Sequence, residues 1–149
     1  MIAIGCDHGG YRLKEQIKAH LDEKNIEYHD YGCYSEESVD YPVYAQKVTD
    51  AIQKGEADCG ILVCTTGLGI SMAANKAKGI RAAVCTNAYT AEMTRRHNNA
   101  NVLCLGGAVV PEDEALRITD IFIGTDFEGG KHLRRVEEIA GIEEGKSLS

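Results

Sequence analysis

The chain has 149 residues, enough for one domain around a continuous core and too few to require a second. Hydrophobic residues make up 44% and charged residues 26%, ordinary globular proportions at which folding needs no disulfide or metal staple. The net charge of −7 argues against a nucleic-acid surface, because basic residues cluster only at Arg95-Arg96 and Lys131 to Arg135. Such short clusters in an acidic chain suit a small anionic ligand, with a solvated helix face as the plainer alternative.

In chain order, short β-rich runs alternate with helical patterns, which predicts an α/β fold: a single-domain, Rossmann-like three-layer sandwich with a five-stranded parallel sheet. The first strand is expected at Ile2–Cys6 and ends in Asp7-His8-Gly9-Gly10. Leu13, Ile17 and Leu21 then recur every four residues, as an amphipathic helix requires. A second strand is expected at Glu27–Tyr31, a polar loop at Gly32–Tyr41, and a helix through Ala45, Val48 and Ile52. The third strand, Gly60–Cys64, runs into Thr65-Thr66-Gly67-Leu68-Gly69 and a helix at Ile70–Ala77.

Strands at Ile80–Cys85 and Asn101–Leu105 flank a helix at Ala88–Arg96. Pro111 and the acidic residues after it open a helix at Glu112–Ile123. An extra C-terminal helix is expected at about 130–142, with a frayed tail at 145–149. The strands lack clean alternation, which fits burial on both faces of the sheet.

No apolar run approaches membrane-spanning length, and the amino terminus lacks the basic start of a signal peptide, so a cytoplasmic protein with no membrane partner is expected. Cys6, Cys64, Cys85 and Cys104 lie within or at the ends of apolar runs, where thiols serve as core packing in a reducing compartment. No Cys-x-x-Cys pair suggests a zinc or redox motif, and no metal is predicted.

Ligands of open parallel sheets bind beyond the carboxyl ends of the strands. Two such ends carry chemistry: Asp7-His8 after the first strand and Cys64 to Gly69 after the third. Gly67 and Gly69 begin a Gly-x-Gly-x-x-Gly pattern, but Met72 occupies the third position and no acidic ribose ligand follows the next strand, which disfavours a nicotinamide enzyme. No P-loop run occurs. Thiols at helix N-termini are activated relative to a free cysteine of pKa about 8.5, so Cys64 is a candidate base, with a structural thiol the alternative. Asp7 either binds a ligand or caps the next turn. His97, at a predicted helix C-terminus where a cation is favoured, is a candidate acid, or else a surface histidine.

Gly-Cys-Asp-His-Gly-Gly, Asp40-Tyr41-Pro42, the run from Cys64 to Lys76, Arg-His-Asn at 96–98, and Glu-Gly-Gly-Lys-His-Leu-Arg-Arg-Val at 128–136 together resemble the type B ribose-5-phosphate isomerases. That family includes galactose-6-phosphate isomerase subunits. The likeness runs from Ile2 to about Ile142. It implies cofactor-free interconversion of ribose 5-phosphate and ribulose 5-phosphate through a cis-enediolate. On that resemblance, Cys64 matches the base, with Thr66 beside it, and His97 matches the residue that opens the sugar ring. Asp7, His8, Tyr41 and Asn98 match substrate-binding positions, Thr65 with Gly67, Leu68 and Gly69 the anion hole, and Lys131, His132 and Arg135 the phosphate segment.

Two positions depart from the pattern: Lys131 and Ala108 stand where relatives often carry arginine, with Arg96 or Arg134 available to compensate. Six-carbon phosphosugars or unphosphorylated sugars are therefore alternative substrates, and an anion-binding regulatory module is the non-enzymatic alternative. One geometric expectation needs no family. Cys64 ends its strand whereas His97 precedes another, and a strand spans roughly 17–20 Å, too far for both to reach one sugar. His97 would then come from a partner chain, giving a homodimer with shared sites; further pairing of dimers is left open.

Overall fold

The computed structural model describes residues 1–149. Five parallel strands, β1 (Ile2–Cys6), β2 (Tyr28–Asp30), β3 (Cys59–Cys64), β4 (Ala82–Val84) and β5 (Val102–Gly106), form one sheet in the order β2-β1-β3-β5-β4. Six helices cover it: α1 (Tyr11–Glu23), α2 (Tyr41–Gln53), α3 (Leu68–Ala74), α4 (Ala88–Asn98), α5 (Glu112–Gly124) and α6 (Lys131–Glu143). The predicted α/β class, the five strands and the C-terminal helix are all present.

Successive strand residues face opposite sides, and both sides are buried. Ile2, Ile4, Cys6, Ile61, Val63, Leu103 and Leu105 pack with Leu13, Ile17 and Leu21 of α1 and with Ile118 and Phe122 of α5. Ala3, Leu62, Cys64, Val102 and Cys104 pack on the other face with Ala45, Val48 and Ala51 of α2 and Ile70 and Ala74 of α3. Every one of these strand residues is buried, which is why no polar–apolar alternation is visible in the sequence. The chain after β1 turns onto one face and the chain after β3 onto the other. The neighbouring β1 and β3 therefore flank a crevice at the carboxyl edge, the position where doubly wound sheets bind ligands.

Some boundaries differ from expectation. Helix α3 starts at Leu68, two residues early, because Gly67 adopts φ 81° and turns the strand straight into the helix. It ends at Ala74, where the Asn75 amide exchanges hydrogen bonds of 2.8 and 2.9 Å with the backbone of Ala82. Strand β4 is shorter than Ile80–Cys85 because the Arg81 N–H is taken by the Asn101 side chain at 2.8 Å. Tyr41 lies in the first turn of α2 rather than in a loop, with Pro42 in that turn, where its missing N–H is harmless.

One structural feature escaped sequence reasoning. Lys14 is completely buried and donates to both Asp30 carboxylate oxygens at 2.7 and 2.8 Å and to the Cys33 carbonyl at 2.6 Å. Asp30 also pairs with Lys18 at 2.9 Å and accepts the Gly32 N–H at 2.8 Å. Burial alone would raise the Asp30 carboxyl, but these hydrogen bonds outweigh it and hold the group below its ordinary range. The network fixes the chain leaving β2 against β1, where the Cys6 N–H donates to the Gly32 carbonyl and the Cys33 N–H to the Cys6 carbonyl, at 2.6 and 2.8 Å.

Candidate active site

The loops after β1, β3 and β5 meet at the carboxyl edge of the sheet through contacts that only glycine permits. A Cβ on Gly10 would strike the Val63 carbonyl, and one on Gly9 the Thr65 hydroxyl. A Cβ on Gly106 would meet the Thr66 carbonyl, and the N–H groups of Gly107 and Ala108 donate to the carbonyls of Cys64 and Thr65 at 2.8 and 2.9 Å. Asp7, Thr65 and Cys64 are thus held by one rigid seam.

Within that seam Cys64 is 4% exposed, and its sulfur accepts the Gly67 N–H at 3.1 Å. The Leu68 N–H goes to the Thr66 hydroxyl at 3.2 Å, so it and the Gly67 N–H are already committed. Beyond them, the first-turn N–H groups of Gly69 and Ile70 have no acceptor within the chain. The donors left for an anion are therefore those of Gly69, one of the anion-hole positions the resemblance implies, and of its neighbour Ile70.

Asp7 is buried and accepts the Gly10 N–H at 3.2 Å, capping a single 3₁₀ turn at His8–Gly10. The capping role anticipated as the plainer alternative is realised. His8 accepts the Val39 N–H at Nδ1, 3.1 Å away, which leaves Nε2 as the proton-bearing nitrogen of the neutral ring. The Tyr41 ring lies against Gly69, where a Cβ would come within 2.7 Å of it. Asp7, His8, Tyr41, Cys64, Thr65, Thr66, Gly67, Leu68 and Gly69 accordingly form one group.

His97, Asn98, Lys131, His132 and Arg135 form another. His97 and Asn98 are the last residues of α4, ahead of β5, while Cys64 is paired with Gly106 at the far end of that strand. Five residues of strand separate the two positions, about 17 Å at the usual rise. The segment before α6 is tied to the end of α4 by a 3.1 Å hydrogen bond from the Glu128 N–H to the Arg96 carbonyl. The His97 and His132 rings stack at 4.1 Å. Burial, helped by His97, Lys131 and Arg135 and opposed by Glu128, lowers the His132 pKa, so its ring is neutral at neutral pH. Lys131, Arg134 and Arg135 are exposed and have no carboxylate within salt-bridge distance, unlike Arg96, which is paired with Glu92 and Glu128. Arg95 is structural: it donates to the carbonyls of Thr125 and Ala100 and lies over the Phe122 ring.

Burial raises the Cys6, Cys59, Cys85 and Cys104 thiols, Cys85 to about 11, which marks them as packing groups. All six cysteines are unpaired. No helix is long and apolar enough to cross a membrane.

Comparison with known proteins points the same way. The family model described as Ribose/Galactose Isomerase matches residues 2–139. The chain is 50% identical over 146 residues to ribose-5-phosphate isomerase B of Escherichia coli, covering 98% of both proteins. Among solved structures, ribose-5-phosphate isomerase B of Clostridium thermocellum superposes with a TM-score of 0.96 at 53% identity, covering 98% of this chain and 99% of that one. The Mycoplasma genitalium enzyme, solved with bound ribulose 5-phosphate, gives 0.91 at 43% identity over 96% and 95% of the two chains.

Proposed function

The chain belongs to the ribose/galactose isomerase family and is an aldose–ketose isomerase of the type B ribose-5-phosphate kind, and on that premise we propose how its residues interconvert ribose 5-phosphate and ribulose 5-phosphate. The supporting observation is the Cys64 sulfur, held at a strand end by the Gly67 N–H beside two first-turn N–H groups that lack acceptors.

A proton on the carbon beside a sugar carbonyl is weakly acidic, so the enediolate oxygen must be stabilised as the proton leaves. Cys64, as thiolate, removes the proton from C2 of the open-chain aldose and becomes a thiol. The C2–H electron pair forms the C1–C2 double bond, and the former carbonyl electrons move to O1. The N–H groups of Gly69 and Ile70 donate to the developing oxyanion, each such donor typically worth about 2.7–4 kcal/mol. Cys64 then returns the proton to C1, and transfer of the hydroxyl proton from O2 to O1 completes the ketose. One base serves both carbons, so the step is reversible and nothing is consumed. Asp7, His8 and Tyr41 bind the sugar hydroxyls from the walls of the crevice.

Ring opening needs an acid at the ring oxygen, and His97 takes this role with Asn98 beside it. Because His97 lies near the opposite edge of the sheet from Cys64, it acts on the sugar held by a second copy of the chain. Lys131 and Arg135 bind the phosphate from the same side, with His132 packed between them and His97. The working unit is a homodimer with two shared sites.

Complementation tests the arrangement. Cys64→Ala and His97→Gln should each lower kcat by about 10²–10⁴-fold, the usual contribution of a proton-transfer group. Unfolding and remixing equal amounts of the two should recover about a quarter of wild-type activity, because half of the dimers are mixed and each has one intact site. No recovery, with mixed dimers demonstrated by native mass spectrometry, would show that both residues serve one chain. Assaying ribose, allose and galactose phosphates side by side settles the preferred chain length. A regulatory anion-binding module would keep its function in Cys64→Ala.

A further inference from the structure

Glu128 was not singled out in the sequence, yet its surroundings are ordered around one carboxylate oxygen. Oε2 faces the Arg96 guanidinium at 3.3 Å, and Arg96 is itself fixed by Glu92 at 2.8 Å. Oε1 is left facing two imidazoles, His132 Nε2 at 3.5 Å and His97 Nε2 at 4.0 Å. One ligand atom from each of the three residues lies within 4.8 Å of the others. Two imidazoles and one carboxylate are a donor set that zinc accepts in open sites, completing four-coordination with water. Bonds of about 2.0–2.1 Å at tetrahedral angles put ligand atoms about 3.3–3.4 Å apart, so closure needs shifts on the order of 1 Å.

Those shifts are available. His97 and Glu128 each keep 41% of their side-chain surface exposed, whereas His132, at 13%, is the fixed member. The two rings are nearly parallel, 11° apart, so His97 must rotate to bring its nitrogen onto a shared ion. The Arg96 contact orients the carboxylate as outer-shell partners do in metal sites.

We propose that His97, Glu128 and His132 form a binding site for a borderline-soft divalent cation of the zinc type, occupied in competition with the sugar phosphate. The competition rests on the assignment of His97 to ring opening; the site itself does not. Its ligand set does not include Cys64, and the ion takes no part in turnover. An occupied site withdraws His97 from the substrate, so zinc acts as a reversible inhibitor.

Cobalt titration reports on the site without reference to activity. The full-length protein should bind one Co²⁺ per chain with the visible d–d bands of a four-coordinate ion and without the near-ultraviolet band of thiolate coordination. Glu128→Gln should weaken this binding by about 10–100-fold. Absence of the d–d bands at saturating cobalt, a thiolate band in their place, or unchanged affinity in Glu128→Gln would overturn the site. In kinetics, zinc should raise the apparent KM in the wild type, reversibly by chelator, and should lose its effect in Glu128→Gln when each protein is compared with its own chelator-treated rate. Cobalt binding at the two histidines without zinc inhibition would uphold the site and refute the role given to His97.

Discussion

Removing Asp30 should be among the most damaging single changes outside the active site. Lys14 is fully buried, and Asp30 supplies two of its three short hydrogen bonds, the third going to the Cys33 carbonyl. Asp30→Ala leaves that ammonium with only Glu15 at 3.6 Å to balance its charge. Breaking a buried pair from one side costs about 3–5 kcal/mol. For a chain of this length that is a fall in Tm of about 6–20 °C. Lys14→Met is milder, about 1–3 kcal/mol, because Asp30 keeps Lys18 and the Gly32 N–H and only the Cys33 carbonyl is stranded.

The assay is urea unfolding at fixed protein concentration, with the midpoint shifting and the slope unchanged. The pH dependence has a definite sign. The folded Asp30 carboxyl lies below its unfolded value of about 3.9, so its contribution is complete above that pH and disappears as pH falls through the folded pKa. Below about pH 4 the wild type should therefore lose stability more steeply than Asp30→Ala. A loss under about 1 kcal/mol in Asp30→Ala, or a larger one in Lys14→Met, would refute the claim that an uncompensated buried charge dominates.

Other changes probe single contacts. Gly67→Ala forces a side chain into φ 81° and to within 2.9 Å of the Leu105 carbonyl carbon, so a cost of at least about 1–2 kcal/mol is expected, with kcat falling as the Cys64 contact is disturbed. Normal thermal stability and normal kcat together would contradict this. Asn87→Ala removes the cap of α4, whose carbonyl accepts the Thr90 N–H at 2.8 Å, and should cost about 1 kcal/mol by urea midpoint with no effect on KM. Lys131→Arg replaces a point charge with a two-pronged donor and should lower KM for ribose 5-phosphate severalfold while leaving kcat near wild type. An unchanged KM would remove Lys131 from the phosphate site.

Local patterns in the sequence determined the class and most of the elements. Apolar runs without alternation required a sheet buried on both sides, and the four-residue spacing of Leu13, Ile17 and Leu21 required α1. The strand-end positions of Asp7, His8 and Cys64 followed directly, because parallel strands share one carboxyl edge. Contacts between residues distant in the chain were decided only by the tertiary structure. Nothing near Lys14 in the sequence announces that Asp30 lies across from it, since the pair forms only when β2 joins β1. Glu128 reads as one more acidic residue before a helix until the backbone bond to Arg96 sets it beside two histidines. Of the anion-hole positions that the resemblance implies, Thr65, Gly67, Leu68 and Gly69, the folded loop spends the Gly67 and Leu68 N–H groups on Cys64 and Thr66 and leaves that of Gly69 free, with Ile70 beside it. Periodicity and strand ends depend on neighbours a few residues away and are legible in one dimension. Charge pairing and the fate of each donor depend on which loops fold together, and that is decided only when the sheet assembles.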